Sequence, residues 1–238
     1  MHSISDTSQV LELFTCRECH CAFHAEVAYF EGRAIFAPSL CESCLQQMQE
    51  RNTREAEIKA KEDRERDFWR KVPPVYRDTD PTRLSPILAR MVTGWKYGPK
   101  GVGIVGKSGE GKTRSATMLL HRIHSEGMRV CYLPAMDLAA SSANMFSDDR
   151  EEKAKANARI KEAFKADLLL IDDLGKNRMT DRAESTLYDL FETRTGNMLP
   201  TIWTSNASAP ELHKMFSEDR ADAIIRRMGK EFSTIITV

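Results

Sequence analysis

Short apolar runs punctuate the second half of the chain: "GVGIV" (101–105), "RVCYL" (129–133), "LLLI" (168–171), "TIWT" (201–204) and "STIITV" (233–238). Between them lie longer amphipathic stretches, each long enough for a helix. Continuous apolar strands alternating with helices argue a parallel sheet covered on both faces. Before this zone, residues 46–71 read "QQMQERNTREAEIKAKEDRERDFWRK", dense in charge and free of Gly and Pro. That pattern predicts a solvated helix with opposite charges at i,i+3 and i,i+4, its apolar positions too sparse for a coiled-coil seam. We read it as a spacer; a DNA-contacting or partner-docking helix is the alternative. "KVPPVYRDTDP" then breaks it, because paired prolines disfavour helical geometry at and before them. Three zones follow: a cysteine-rich module at 1–45, a charged helical linker at 46–72 and an α/β domain at 73–238.

The strand "GVGIV" runs into "GKSGEGKT", Gly106, Lys107, Ser108, Gly109, Glu110, Gly111, Lys112 and Thr113, which fits G-x-x-x-x-G-K-[ST] completely. The helical "RSATMLLHRIHSEG" follows, so the motif has the strand–loop–helix context it needs. Its glycines let backbone amides converge on phosphate oxygens, and the helix N-terminus adds positive dipole. Lys112 would reach the β- and γ-phosphates of a nucleotide, and the Thr113 hydroxyl would bind Mg²⁺. The rival reading, a Gly-rich turn that happens to contain Lys-Thr, ignores both flanks.

"LLLIDDLG" (168–175) drives two acids to the carboxyl end of a buried strand, where ligands bind in open α/β sheets. Asp172, the first polar residue, is expected at the Mg²⁺ site. Asp173 occupies the place where additional-strand ATPases usually carry a glutamate that polarises water. Being one methylene shorter, it has less reach as a base; the alternative is a cap on the next turn. After "TIW", Asn206 is the expected γ-phosphate or water contact, against a plain turn asparagine. Arg226 and Arg227 close a helix before the last strand. A helix end favours cations by itself; the functional reading is an arginine finger reaching a neighbouring subunit's γ-phosphate.

Taken in order, "VPPVYRD", "GKSGEGKT", "RVCYLPAMDLAAS", "LLLIDDLGK", "PTIWTSN" and "AIIRRM" resemble the AAA+ proteins of the DnaC/DnaI/IstB type, from about Pro73 to Val238. That group contains helicase loaders and transposition ATPases. The resemblance implies a P-loop NTPase (AAA+/ASCE) fold with a five-stranded parallel sheet and little or no C-terminal lid, and it makes Arg227, before Met228, the match for the arginine finger. It also implies a slow, partner-regulated ATPase, ATP-dependent homo-oligomerisation, contact with single-stranded DNA and a hexameric replicative helicase as partner. The alternatives are a transposition helper working with a transposase and a non-enzymatic adaptor ordered by ATP; a nucleoside kinase lacks an acceptor-binding arginine set.

The cysteines add a second site. "CREC" (16–19) and "CESC" (41–44) are C-x₂-C pairs, and Cys16, Cys19, Cys41 and Cys44 would give Zn²⁺ four thiolates. Sets using Cys21, His20 or His24 stay open. "VAYF" and "AIFA" around Glu31-Gly32 read as a hairpin between the pairs, hence a zinc-ribbon-like module that needs its metal to fold. A full Cys₄ shell leaves no open position, so the metal would be structural; the resemblance to loaders, whose N-terminal segment commonly contacts the helicase, implies a partner-docking module, with DNA contact as runner-up. Cys131, in an apolar strand, reads as a small buried hydrophobe.

Bulk composition changes the picture only in part. Of 238 residues, 41% are hydrophobic and 29% charged, with a formal net charge of +0. Global charge therefore gives no support to nucleic-acid binding, which would need a local basic patch. No apolar run approaches the roughly 18 residues of a membrane span. "MHSISDTSQVLELF" lacks the basic and apolar regions of a secretory signal. The expectation is a cytoplasmic protein whose cysteines are thiols or metal ligands.

Overall fold

The structure is a computed structural model and describes residues 7–30, 32–77, 80–176 and 178–238. The chain divides into two compact units, one ending at Glu65 and one running from Arg66 to Val238.

In the first unit, strands β1 (Thr7–Thr15) and β2 (Ala22–Phe30) form an antiparallel hairpin from Thr7↔Phe30 to Thr15↔Ala22. The strand β3 (Arg33–Ala34) adds only two residue pairs. The expected pairing of "VAYF" with "AIFA" is present as this short ladder, and a longer hairpin, β1–β2, lies before it. The main hairpin carries the first cysteine pair at its turn, and β1 precedes that pair. The "AIFA" segment barely pairs, leaving Ile35 and Phe36 exposed; Glu31 of the expected turn lies outside the described residues. The second cysteine pair belongs to no hairpin: it opens the helix α1 (Glu42–Lys71). The charged helix thus begins earlier than residue 46. Of its 30 residues only Phe68 is buried, so solvation and local pairs such as Gln46 Nε2 to Glu50 Oε1 (3.1 Å) sustain its polar surface.

In the second unit the end of α1 is followed by short 3₁₀ turns at Pro74–Tyr76 and Pro81–Arg83. Asp78 of the "VPPVYRD" segment lies outside the described residues. Then come α2 (Pro86–Gly94), β4 (Gly101–Val105), α3 (Lys112–Ser125), β5 (Val130–Pro134), α4 (Ala135–Asn144) and α5 (Arg150–Lys165). Next are β6 (Leu168–Leu174), α6 (Asp181–Gly196), β7 (Thr201–Ser205), α7 (Ala209–Met215), α8 (Glu218–Met228) and β8 (Ser233–Thr237). The five strands pair in parallel in the order β5-β6-β7-β4-β8. The expected five-stranded parallel sheet is present, with β7 between the phosphate-loop strand and the acidic strand.

Alternation splits each strand between two cores. Val102, Ile104, Leu168, Leu170 and Ile202 face α2, α3 and the end of α1, where Phe68 and Val72 are buried. Leu169, Ile171 and Trp203 face α4, α5, α6, α7 and α8. Each buried Leu or Ile removes enough apolar surface to contribute about 1.5–3 kcal/mol, so strands apolar on both faces are held from both sides. Helix starts are chemically marked: Asp149 accepts from the Glu151 and Glu152 amides at 2.7 and 3.1 Å, and Thr180 from the Ala183 amide at 3.3 Å. Arg194, fully buried, donates to the carbonyls of Ala163, Ala166 and Pro200 at 2.9, 2.7 and 2.7 Å and to Thr201 Oγ1 at 3.0 Å. It ties the end of α5 to the entrance of β7. No helix among the described residues is long and apolar enough to cross a membrane.

Candidate functional site

The loop Gly106–Thr113 leaves β4 and enters α3 at the carboxyl edge of the sheet. At Gly106, whose amide donates to Ser205 O at 3.2 Å, a Cβ would sit 2.2 Å from Val238 O. Gly109 and Gly111 hold φ values of 90° and 83°, the left-handed region that side chains resist. Lys107, Ser108, Gly109 and Glu110 form the exposed outer turn. Lys112 turns inward and is 7% exposed. Its Nζ donates to Lys107 O at 2.7 Å, so the ammonium is folded back over the loop. Burial lowers its pKa from the usual lysine value, opposed by the charges of Asp173, Asp172 and Glu110. A desolvated cation beside a glycine-rich loop at a helix N-terminus fits phosphate.

Thr113 and Asp172 meet directly: the Thr113 hydroxyl donates to Asp172 Oδ1 at 2.8 Å. They come from α3 and β6, 59 residues apart. Asp172 is 5% exposed and receives two more hydroxyls, Thr204 Oγ1 on Oδ1 at 2.6 Å and Tyr132 Oη on Oδ2 at 3.1 Å. A hydroxyl and a carboxylate side by side under a phosphate loop are hard oxygen donors of the kind Mg²⁺ takes together with substrate phosphates. This donor set would hold the metal, and the metal would neutralise charge on the phosphates.

Asp173 points elsewhere. The β6–β7 ladder breaks register between Ile171 and Leu174, and Asp173 adopts φ 61° inside that bulge. Its amide donates to Thr204 Oγ1 at 2.8 Å. Its carboxylate accepts from Asn206 Nδ2 at 3.4 Å and lies 3.4 Å from Lys176 Nζ. Asp173 and Asn206 are therefore neighbours at the edge of the site, with Lys176 as an added cation. Sequence reading passed over Thr204, one of the polar residues noted after "TIW", and missed Tyr132 and Lys176. A polar residue inside each buried strand was the available signal for the first two; nothing marked Lys176.

The two arginines at the end of α8 differ in their surroundings. Arg227 is 9% exposed and paired within its own chain: it donates to Ala223 O at 3.0 Å, contacts Glu192, and stacks 5.3 Å above the Tyr188 ring. A side chain that must cross to another subunit cannot keep those partners. Arg226, next to it, is exposed.

Within the first unit, the Sγ atoms of Cys16, Cys19, Cys41 and Cys44 lie within 4.8 Å of one another, and Cys19 and Cys41 are 3.6 Å apart. Tetrahedral Zn–S bonds of about 2.3 Å put sulfurs about 3.8 Å apart, so the cluster fits Zn²⁺. His20, at φ 59°, closes the turn, and its amide bonds Cys16 O at 3.0 Å. Backbone amides of Cys19 and Cys41 bring the Cys16 thiol down to about 6, while the neighbouring Cys19 and Cys41 sulfurs push Cys44 up, as crowded thiols do when they share protons. Cys21 lies 3.2 Å from Cys19 but is absent from the four-sulfur cluster, as are His20 and His24. Cys131 is buried in β5, and burial pushes its thiol up to about 11.

Comparison with known proteins agrees with this geometry. A family model described as IstB-like ATP binding protein matches residues 77–237. The phage-like element PBSX protein XkdC of Bacillus subtilis (strain 168) is 31% identical over 140 residues, 57% of this chain and 50% of that protein. The chain thus spans half the length of that curated relative. Among solved structures, the DnaC helicase loader superposes with a TM-score of 0.57 at 20% identity, covering 70% of this chain and 99% of that one. DnaI gives 0.52 at 19%, covering 63% and 80%, and domain III of Thermotoga maritima DnaA gives 0.54 at 16%, covering 70% and 68%. At these identities the structural likeness speaks for the fold alone. The extent of the family match, over a chain that carries the phosphate loop and its acidic partner, places the protein in the IstB-like ATP-binding family, with a P-loop fold shared with the DnaC helicase loader.

Proposed function

We propose that the protein is a slow, partner-stimulated ATPase that loads a hexameric replicative helicase onto single-stranded DNA. The observation that carries the nucleotide part is the bond between Thr113 and Asp172 beneath the glycine loop. Lys112 and the loop amides would hold the β- and γ-phosphates, Thr113 and Asp172 the Mg²⁺, and Asp173 with Asn206 would orient water. Slow turnover is the reading for Asp173, because its short carboxylate is engaged by Asn206 and near Lys176. Homo-oligomerisation with ATP would bring an arginine from a neighbouring copy; Arg226 is better exposed for this than Arg227. Helicase loading draws its support from the family and from the fold shared with the DnaC helicase loader and DnaI. Zn²⁺ on the four cysteines would stabilise a module that docks the partner.

The test is co-purification with the host's replicative helicase with and without ATP, alongside ATPase assays with and without single-stranded DNA. Helicase capture that needs ATP and is lost in Lys112→Ala supports the reading. Absence of any helicase complex under ATP, or fast hydrolysis by the isolated monomer, would sink it. The family description favours one second reading, a transposition helper. Filaments on duplex DNA and binding to a transposase would select it. If Asp173→Asn leaves function intact while Lys112→Ala abolishes it, ATP acts as an ordering ligand only.

A further inference from the structure

Asp172 is held by more than the Thr113 hydroxyl. Oδ1 takes two hydroxyls, from Thr113 and Thr204, while Oδ2 takes one, from Tyr132 at 3.1 Å. Tyr132 lies on β5, opposite Leu170 in the parallel ladder, and Pro134 lies opposite Asp172. Tyr132, Leu170 and Asp172 therefore share the α3 face, where the tyrosine ring is 5% exposed within the core. Any large apolar side chain would fill that space. The hydroxyl is the part that packing does not require, and it ends on the carboxylate.

The torsion that rotates a carboxylate plane is soft and roughly two-fold. Donors on Oδ1 alone would leave Asp172 pivoting about that oxygen. A donor on Oδ2, anchored by a buried ring, fixes the plane and hence the direction of the lone pair that Oδ1 turns toward the Thr113 hydroxyl. We propose that Tyr132 is a positioning residue for the divalent cation: its hydroxyl locks the Asp172 carboxylate in the orientation that accepts Mg²⁺ beside Thr113. This rests on the assignment of Thr113 and Asp172 to a nucleotide-bound Mg²⁺. It concerns metal affinity, so binding of the nucleotide without metal should be indifferent to it.

Tyr132→Phe keeps the ring and removes the hydroxyl. Mn²⁺ binding to the full-length, ADP-loaded protein, followed by electron paramagnetic resonance, should weaken by about tenfold, the size of one hydrogen bond to a charged group. The Mg²⁺ concentration for half-maximal ATP hydrolysis should rise by a similar factor, with the native rate recovered at high Mg²⁺. Affinity for ADP in excess EDTA should stay unchanged. Native metal affinity in the variant overturns the proposal, and so does a lower melting temperature with unchanged metal affinity, which would make the hydroxyl a packing element. Absence of metal-dependent nucleotide binding in the native protein overturns the assignment beneath it as well; native binding with an indifferent variant sinks the tyrosine role alone.

Discussion

Thr204→Val tests whether one buried hydroxyl organises both acids. Thr204 is 1% exposed; its Oγ1 donates to Asp172 Oδ1 at 2.6 Å and accepts from the Asp173 amide at 2.8 Å. Valine has nearly the same shape, so no cavity opens. The hydrogen bond to the carboxylate contributes about 1.5–3 kcal/mol, and stranding the Asp173 amide costs about 1–3 kcal/mol more. Relief from burying a hydroxyl offsets about 1 kcal/mol, and Asp173 sits near solvent, which favours the low end. The expected net loss is about 2–3 kcal/mol. At about 2–4 °C per kcal/mol for a unit of this size, melting should fall by roughly 5–10 °C. Thr204→Ser keeps the hydroxyl and loses a methyl, costing about 1 kcal/mol. Thermal and urea unfolding of both variants, with the Arg66–Val238 transition followed by tryptophan fluorescence, give the order native, Ser, Val. Simple burial in an apolar strand predicts the reverse, Val at least as stable as Ser. That reverse order would refute the hydroxyl's role.

Two further outcomes follow from other parts of the chain. Arg194→Met leaves the carbonyls of Ala163, Ala166 and Pro200 without their buried donor, and should lower stability by about 3 kcal/mol after relief of guanidinium desolvation, read in a urea titration; a native midpoint would contradict the network. Chelation should remove a stoichiometric zinc and melt the cysteine module, read by metal analysis and circular dichroism, while the Arg66–Val238 transition persists; an unchanged spectrum after metal loss would contradict a structural metal.

Much of the nucleotide site was legible because its chemistry is local. Eight consecutive residues dictate the loop, and the apolar run before Asp172 dictates where the acid surfaces. Alternation of strands and helices fixed the layer architecture, since each strand had to be covered on both faces. The cysteine spacing named four ligands that fold into one cluster. The module's shape was less legible, because a C-x₂-C pair reads the same in a hairpin turn and at a helix start. Only the charged run after Cys44, continued back to Glu42, makes it the latter.

What the sequence by itself determined, then, is the inventory of phosphate-binding, acidic and thiol groups and the class of fold that carries them. The tertiary structure alone decided who touches whom. Tyr132 and Thr204 reach Asp172 across 40 and 32 residues of chain, a meeting created by strand order and register. Two adjacent arginines at the end of α8 look alike in the sequence, yet packing of α8 on α6 folds Arg227 onto Glu192 and Tyr188 while Arg226 stays exposed. Such contacts depend on which elements lie side by side, and a one-dimensional pattern of apolar and polar positions records the faces of those elements without their neighbours.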